Sequence, residues 1–176
     1  MTKEQSFVPA DHADLDPFTR SRTRERTLNR AIVQADISES FEEYLGIFDA
    51  FYDDDIEVTS DTGEGPIRGK ARVGSLLASF LVPLHVMAEL NGLLISIRQS
   101  AIPGDVAGET QSAWTLELVG VSGRACTVSW CTLRKWKGSR VVYEHHYDHQ
   151  QSGEPLTSDD LSLNAATSAA ESRRPS

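Results

Sequence analysis

Alternation with period two, cut at intervals by glycine, constrains this chain more than any other feature. From Gly108 onward apolar and polar residues exchange places, with Trp114, Leu116 and Leu118 sharing one parity. Successive side chains of a strand point to opposite faces, so the pattern describes strands with one buried face. Residues 86 to 101 read as a long strand weakened or bulged at Gly92. Residues 108 to 119, 124 to 136 and 140 to 149 read as three more. The connections Ile102-Pro103-Gly104-Asp105, Gly120 to Gly123 and Lys137-Gly138-Ser139 are short turns. Turns this tight join antiparallel neighbours, which makes the C-terminal half a meander.

The N-terminal half has a different period. A helix is expected over residues 18 to 34, with Leu28, Ala31, Ile32 and Ala35 at helical spacing. Ser40-Phe41-Glu42-Glu43 matches a capping box. Behind it Phe41, Tyr44, Leu45, Phe48 and Phe51 recur at steps of three and four, as on an amphipathic helix. Asp53, Asp54 and Asp55 oppose the helix dipole and should end that helix. Residues 56 to 59 read as a short strand, Thr62 to Pro66 as a turn, and Ile67-Arg68 as a short return. A third helix follows Gly69, with Val73, Leu76, Leu77, Phe80 and Leu81 on one face, and Pro83 is expected to end it. Residues 1 to 17 and 151 to 176 lack apolar periodicity and read as disordered tails around one domain over residues 18 to 150.

Composition removes several function classes. The chain has 26 acidic residues against 17 Lys and Arg, a net charge of -9. Nucleic-acid binding needs clustered cations, so no nucleic-acid partner is expected. The one basic stretch, Arg20, Arg22, Arg24, Arg26 and Arg30, reads as a solvated helix face. The run from Leu76 to Leu90 is interrupted by Ser79, Pro83 and His85, so no membrane span is expected. The polar N-terminus has no signal-peptide pattern. Cys126 and Cys131 lie five apart on one strand, on opposite faces, and should not pair; a cytoplasmic location is expected.

Three stretches resemble the nuclear transport factor 2-like superfamily, which includes ketosteroid isomerase, scytalone dehydratase and the SnoaL-like polyketide cyclases. They are Phe48 to Val58, which looks like that superfamily's helix end and first strand, Gly65-Pro66-Ile67-Arg68-Gly69, like its short hairpin, and Gly138 to Asp148, like its closing strand. The resemblance covers about residues 20 to 149. It implies an α+β fold in which three N-terminal helices pack in the concave face of a strongly curved, mainly antiparallel sheet. It implies an apolar pocket at the open end of this cone. It also implies that the closing aspartate, Asp148, faces inward as an acid/base. Enzymes and non-enzymes share the scaffold, so function has to come from the site.

Glu144-His145-His146-Tyr147-Asp148-His149 is the densest titratable cluster. Strict parity puts Glu144, His146 and Asp148 on one face with Val142, and Tyr143, His145 and Tyr147 on the other with Val141. Neighbours two apart lie roughly 7 Å apart along a strand, so Asp148 could orient His146. A carboxylate beside an imidazole fixes its tautomer and lets it move protons near neutral pH. Glu144, His146 and Asp148 form a line and not a cage, and His85 would have to come from elsewhere, so no metal is expected. The resemblance places Asp61, by a shift of two positions, where ketosteroid isomerase holds its base. Without that shift Thr59 falls there, and Thr cannot serve as a carboxylate base. Tyr52, Trp114, Trp130 and Phe80 are candidate substrate-binding residues. No phosphate loop and no G-x-S-x-G signature is present.

These readings combine into a small cofactor-free acid/base enzyme of isomerase, cyclase or dehydratase type, acting on an apolar cyclic or polyketide-like molecule. Asp148 and His146 would be the acid/base pair, with Glu144, Asp61 and Tyr52 in reserve. The alternative is a non-catalytic ligand-binding or dimerisation module of the same fold. A homodimer through the outer face of the sheet is expected, because helices can cover only one face.

Overall fold

A computed structural model describes residues 14–63, 65–104, 106–157 and 160. The expected N-terminal tail up to residue 13 and the C-terminal segment from residue 161 lie outside the described residues, as do Glu64 and Asp105 in their turns. The elements run α1 (Pro17–Gln34), α2 (Phe41–Phe51), β1 (Tyr52–Ser60), β2 (Ile67–Arg68), α3 (Lys70–Asn91), β3 (Leu94–Ile102), β4 (Glu109–Val119), β5 (Ala125–Lys137) and β6 (Arg140–Gly153). The six strands form one sheet in the order β2-β1-β6-β5-β4-β3. All neighbours are antiparallel except β1 and β6, which pair in parallel. The fold is α+β, with three helices against a mixed sheet. The core joins Leu28 of α1, Ile47, Phe48 and Phe51 of α2, Ile56 of β1, Leu81 and Leu84 of α3, and Val141 of β6.

Local chemistry sets the helix ends. Asp16 caps α1 by accepting the amides of Phe18 and Thr19, with Pro17 at the first helical position. Ser40 caps α2 by accepting the Glu43 amide at 3.3 Å. The returning partner of the expected box is replaced: the Ser40 hydroxyl donates to Glu42. The second helix stops at Phe51, just ahead of Asp53, Asp54 and Asp55, as expected; the aspartates themselves lie in β1, which begins at once at Tyr52. Tyr52, expected on the helix, is therefore the first residue of β1, and it is buried.

The third helix departs most from expectation. It runs through Pro83 to Asn91, so residues 86 to 91 are helical and β3 starts only at Leu94. The actual stop is Gly92 at φ 68°, a left-handed cap whose amide donates to the Ala88 carbonyl, with Leu93 donating to Met87. Its buried face is Val73, Leu81 and Leu84. Leu76, Phe80, Val86 and Leu90 face solvent, which reverses the expected roles of Leu76 and Phe80. By length and composition this helix is sufficient to cross a bilayer, despite its interruptions. It packs on α2 and β1.

Two bulges shape β6. The register with β5 slips once between the Trp136–Val141 and Lys135–Tyr143 pairs, and again between Cys131–Tyr147 and Ser129–Gln150. Each inserts one extra residue on β6 and reverses its parity. The C-terminal boundary also moves: β6 extends to Gly153, Leu156 packs partly buried on the core, and Asp160 is fully buried. The last strand therefore runs three residues past the expected domain end at residue 150. Cys126 is buried, Cys131 partly buried, and both are free thiols.

Candidate active site

The even-numbered residues of β4 and β5 are the inward ones, and this parity brings polar groups under the helices. Thr110, Ser112 and Trp114 on β4 and Thr132 and Arg134 on β5 are all buried. Arg134 pairs across the ladder with Glu144 of β6, and Thr132 with His146. From above, α1 contributes Glu25 and Asn29, one turn apart on its buried face.

These groups form one network around a guanidinium. Arg134 donates from Nη1 to Glu25 at 2.7 Å and to Asn29 at 2.9 Å, and from Nε to Glu144 at 2.5 Å. Glu25 also accepts from the hydroxyls of Thr110 at 2.8 Å and Ser112 at 2.7 Å. Asn29 donates to Glu25 and Ser112. Trp136 donates its indole N–H to Thr110 at 2.8 Å. The guanidinium also lies 5.7 Å from the centre of the Trp114 ring, within cation–π range.

Glu144 is the branching point. Its Oε2 accepts from Arg134 and from the Tyr52 hydroxyl at 2.5 Å, and its Oε1 lies 2.7 Å from His146 Nε2. Burial alone would push the Glu144 carboxyl up. Arg134, His146 and the Tyr52 hydroxyl override it and hold the group well below the usual carboxylate range. Burial raises the Tyr52 hydroxyl far above its ordinary value, and the neighbouring Glu144 raises it further against the pull of Arg134. Tyr44 is likewise pushed up by burial. The site thus holds an ionised carboxylate and a neutral phenol over the whole physiological range. His146 is its accessible end: its side chain is 28% exposed against 8% for Glu144.

The expected site residues separate into three groups. Glu144, His146 and Tyr52 come together inside the cone. Trp114 is buried beside them, stacked on Trp130 with centroids 6.2 Å apart and 11° between planes. Asp148 and Asp61 lie at the exposed end of the strand. The expected pairing of Asp148 with His146 does not form, because the second bulge places Asp148 at φ 55° and turns it to solvent; the carboxylate on His146 is Glu144. Asp61 accepts the Asp148 amide at 3.0 Å and holds His149 at 2.6 Å. Phe80 stands apart, 54% exposed on α3. Tyr143 and His145 are on the outer face, both within hydrogen-bond reach of Thr59, as parity requires. His85 lies on α3 against the Ile37 carbonyl. Among the described residues no three His, Cys, Asp or Glu are grouped to hold a metal ion.

Glu25, Asn29, Ser112 and Arg134 escape the sequence reading. A signal for them existed: Glu25 and Asn29 stand four apart on the stripe that carries Leu28 and Ile32, and Arg134 shares the inward parity of Trp114's partner Trp130. The basic stretch on α1 is likewise not all solvated, since Arg24 is buried and donates to the Gly138 carbonyl. Two cavities, of about 750 Å³ between α2 and α3 and about 270 Å³ between the end of α1 and β3, are lined by other residues.

No family model matches this sequence, and no curated protein is significantly similar to it. Solved structures are similar in fold. An LEH-like epoxide hydrolase from M. tuberculosis superposes with a TM-score of 0.50 at 14% identity, over 90% of this chain and 92% of that one. A protein from Xanthomonas campestris pv. campestris, taken to be a polyketide cyclase, gives 0.50 at 13% identity over 72% and 91%. An NTF2-like protein of unknown function from Cytophaga hutchinsonii gives 0.48 at 15% identity over 71% and 96%. The chain has the nuclear transport factor 2-like α+β fold.

Proposed function

We propose that the protein is an acid/base enzyme that shifts protons on a small, largely apolar molecule held at the inner face of the sheet, with His146 as the proton-transferring group. The observation that carries this is the 2.7 Å contact of His146 with a carboxylate that Arg134 and Tyr52 keep ionised and fixed. The His146 Nε2–H bonded to Glu144 leaves the Nδ1 lone pair as the base. Glu144 then stabilises the imidazolium that forms, while Arg134 prevents Glu144 itself from taking the proton. Burying a guanidinium and two carboxylates is expensive, and an apolar core of equal volume is commonly at least as stable. Retaining three such charges beside an accessible imidazole is the pattern of a working site.

The test is solvent-deuterium uptake at carbon acids in a panel of cyclic ketones and enones, read by NMR with the full chain. Catalysed uptake that falls about 100-fold in both His146→Gln and Glu144→Gln is expected, with the double variant no worse, since the pair acts as a unit. Uptake unchanged in His146→Gln would remove the assignment.

One observation favours a second reading. Two carboxylates on one guanidinium, with Asn29 beside them, could also activate a water and protonate a leaving oxygen, and the M. tuberculosis structure that this fold matches over most of its length is an epoxide hydrolase. Hydrolysis in ¹⁸O-water would place the label in a diol, which no isomerisation does.

A further inference from the structure

His146 and His149 are three apart, so on a regular strand they would lie on opposite faces. They are instead near-parallel neighbours, with ring centroids 6.4 Å apart and 18° between planes. The bulge at Asp148 is what brings them together. Asp148 has the one positive φ, 55°, of any non-glycine among the described residues. That conformation carries a cost that a plain strand would avoid, and bulges often serve to re-aim a side chain.

The re-aimed ring is held as His146 is held. His149 Nδ1 lies 2.6 Å from Asp61 Oδ1, and Asp61 is clamped in turn: its Oδ2 accepts the Asp148 amide at 3.0 Å and its own amide donates to the His146 carbonyl at 3.0 Å. With the ring N–H of each imidazole placed on its carboxylate, the lone pair falls on the opposite nitrogen, Nδ1 of His146 and Nε2 of His149. Exposure of the residues rises along the line: Glu144 is buried, His146 partly buried, and His149 and Asp61 exposed. The other groups around the line are Arg134 behind Glu144, Ser60 and Thr132 as ladder partners of His146, the Asp148 carboxylate, His145 near Asp61, and Cys131 near Asp148.

We propose that His149, braced by Asp61, is a proton relay between His146 and bulk water. The inference rests on the reading of His146 as the proton-transferring group. When the substrate C–H bond breaks, its electron pair stays on the substrate and the proton forms an N–H bond at His146 Nδ1. The rings are too far apart for a direct hydrogen bond, so that proton passes through one bridging water to the lone pair of His149 Nε2, and the resulting cation, facing Asp61, loses it to a buffer base. His146 returns neutral, and His149 is a positioning and relay residue without substrate contact.

The experiment needs no substrate. In the full ¹⁵N-labelled chain, exchange of the His146 ring proton with solvent is followed by NMR, with added imidazole as the probe. In the wild type, exchange is expected to be fast and insensitive to imidazole. In His149→Gln it is expected to slow at least tenfold and to rise linearly with imidazole, and Asp61→Asn should give an intermediate slowing. Far-UV circular dichroism confirms the fold, and His149→Asn serves where the first variant is unstable. Exchange at the wild-type rate in folded His149→Gln or His149→Asn overturns the relay. Failure of every carbon acid to take up deuterium would instead sink the enzymatic reading, and the two failures are separately visible.

Discussion

Arg134 holds two carboxylates where water scarcely reaches, with side chains 4% to 8% exposed. In such a place the attraction between charges offsets a large desolvation cost, and removing one partner leaves the others uncompensated. Arg134→Met is therefore expected to lose about 3 to 5 kcal/mol in urea denaturation, the range for a broken buried pair. Glu144 adds a pH dependence with a definite sign. Its folded value lies below its unfolded one, so its stabilisation is complete above the unfolded value, about 4.3, and is lost as pH falls toward the folded value. The stability of the wild type should decline from about pH 4 downward, and Glu144→Gln should flatten that acid limb. Equal slopes in the two proteins would show that Glu144 is not the titrating group. At this scale the sequence told part of the story. It marked Glu144, His146 and Tyr52, because they sit in a dense titratable strand and at a helix end. Arg134, Glu25 and Asn29 were each one charged or polar residue among many.

Elements show where local rules suffice and where they do not. In α2 the period of three and four was legible, and Phe48 is 8% exposed with its ring 4.6 Å from that of Tyr52. Phe48→Ala is expected to cost about 3 to 5 kcal/mol; a loss below about 1 kcal/mol would mean that the ring is not part of the core. In α3 a proline rule overrode the better signal. Pro83 removes one amide and strains one turn, but on an exposed face a long helix can absorb this, and the true terminator was Asn91-Gly92. Pro83→Ala is expected to stabilise the chain by up to about 3 kcal/mol in the same denaturant assay. A loss of stability would mean that the helix depends on its proline bend. In β6 the alternation held between Tyr143 and Tyr147 and failed outside them, because a bulge changes parity without leaving a compositional mark.

Among the described residues of the whole molecule, one sheet face has no second layer. Tyr143, His145, Tyr147 and Leu133 lie there, partly exposed, and Tyr147 donates to Gln111 on β4. A homodimer through this face is expected, and sedimentation at micromolar concentration checks it; monomer alone would rule it out. Phe80→Glu, on the exposed stripe of α3, should leave the dimer mass unchanged. The C-terminal segment is not loose along its described length: Asp160 accepts the amides of Ser122 and Thr157, and a side chain on Gly120 would meet it at 2.5 Å. Gly120 is small because Asp160 needs the space, a contact between residues forty apart that no local pattern announces.

The sequence by itself carried the type of most elements, the Ser40 cap of the second helix and the shared parity of Trp114, Leu116 and Leu118 on β4. These follow from periodicity, composition and capping, which act over a few residues. Tertiary structure alone decided which carboxylate His146 receives, where the last strand changes face, how far the third helix runs, and that Glu25, Arg134 and Glu144 meet. Those depend on ladder register and on helix-to-sheet packing. There the energy of one contact is set by residues a hundred positions away.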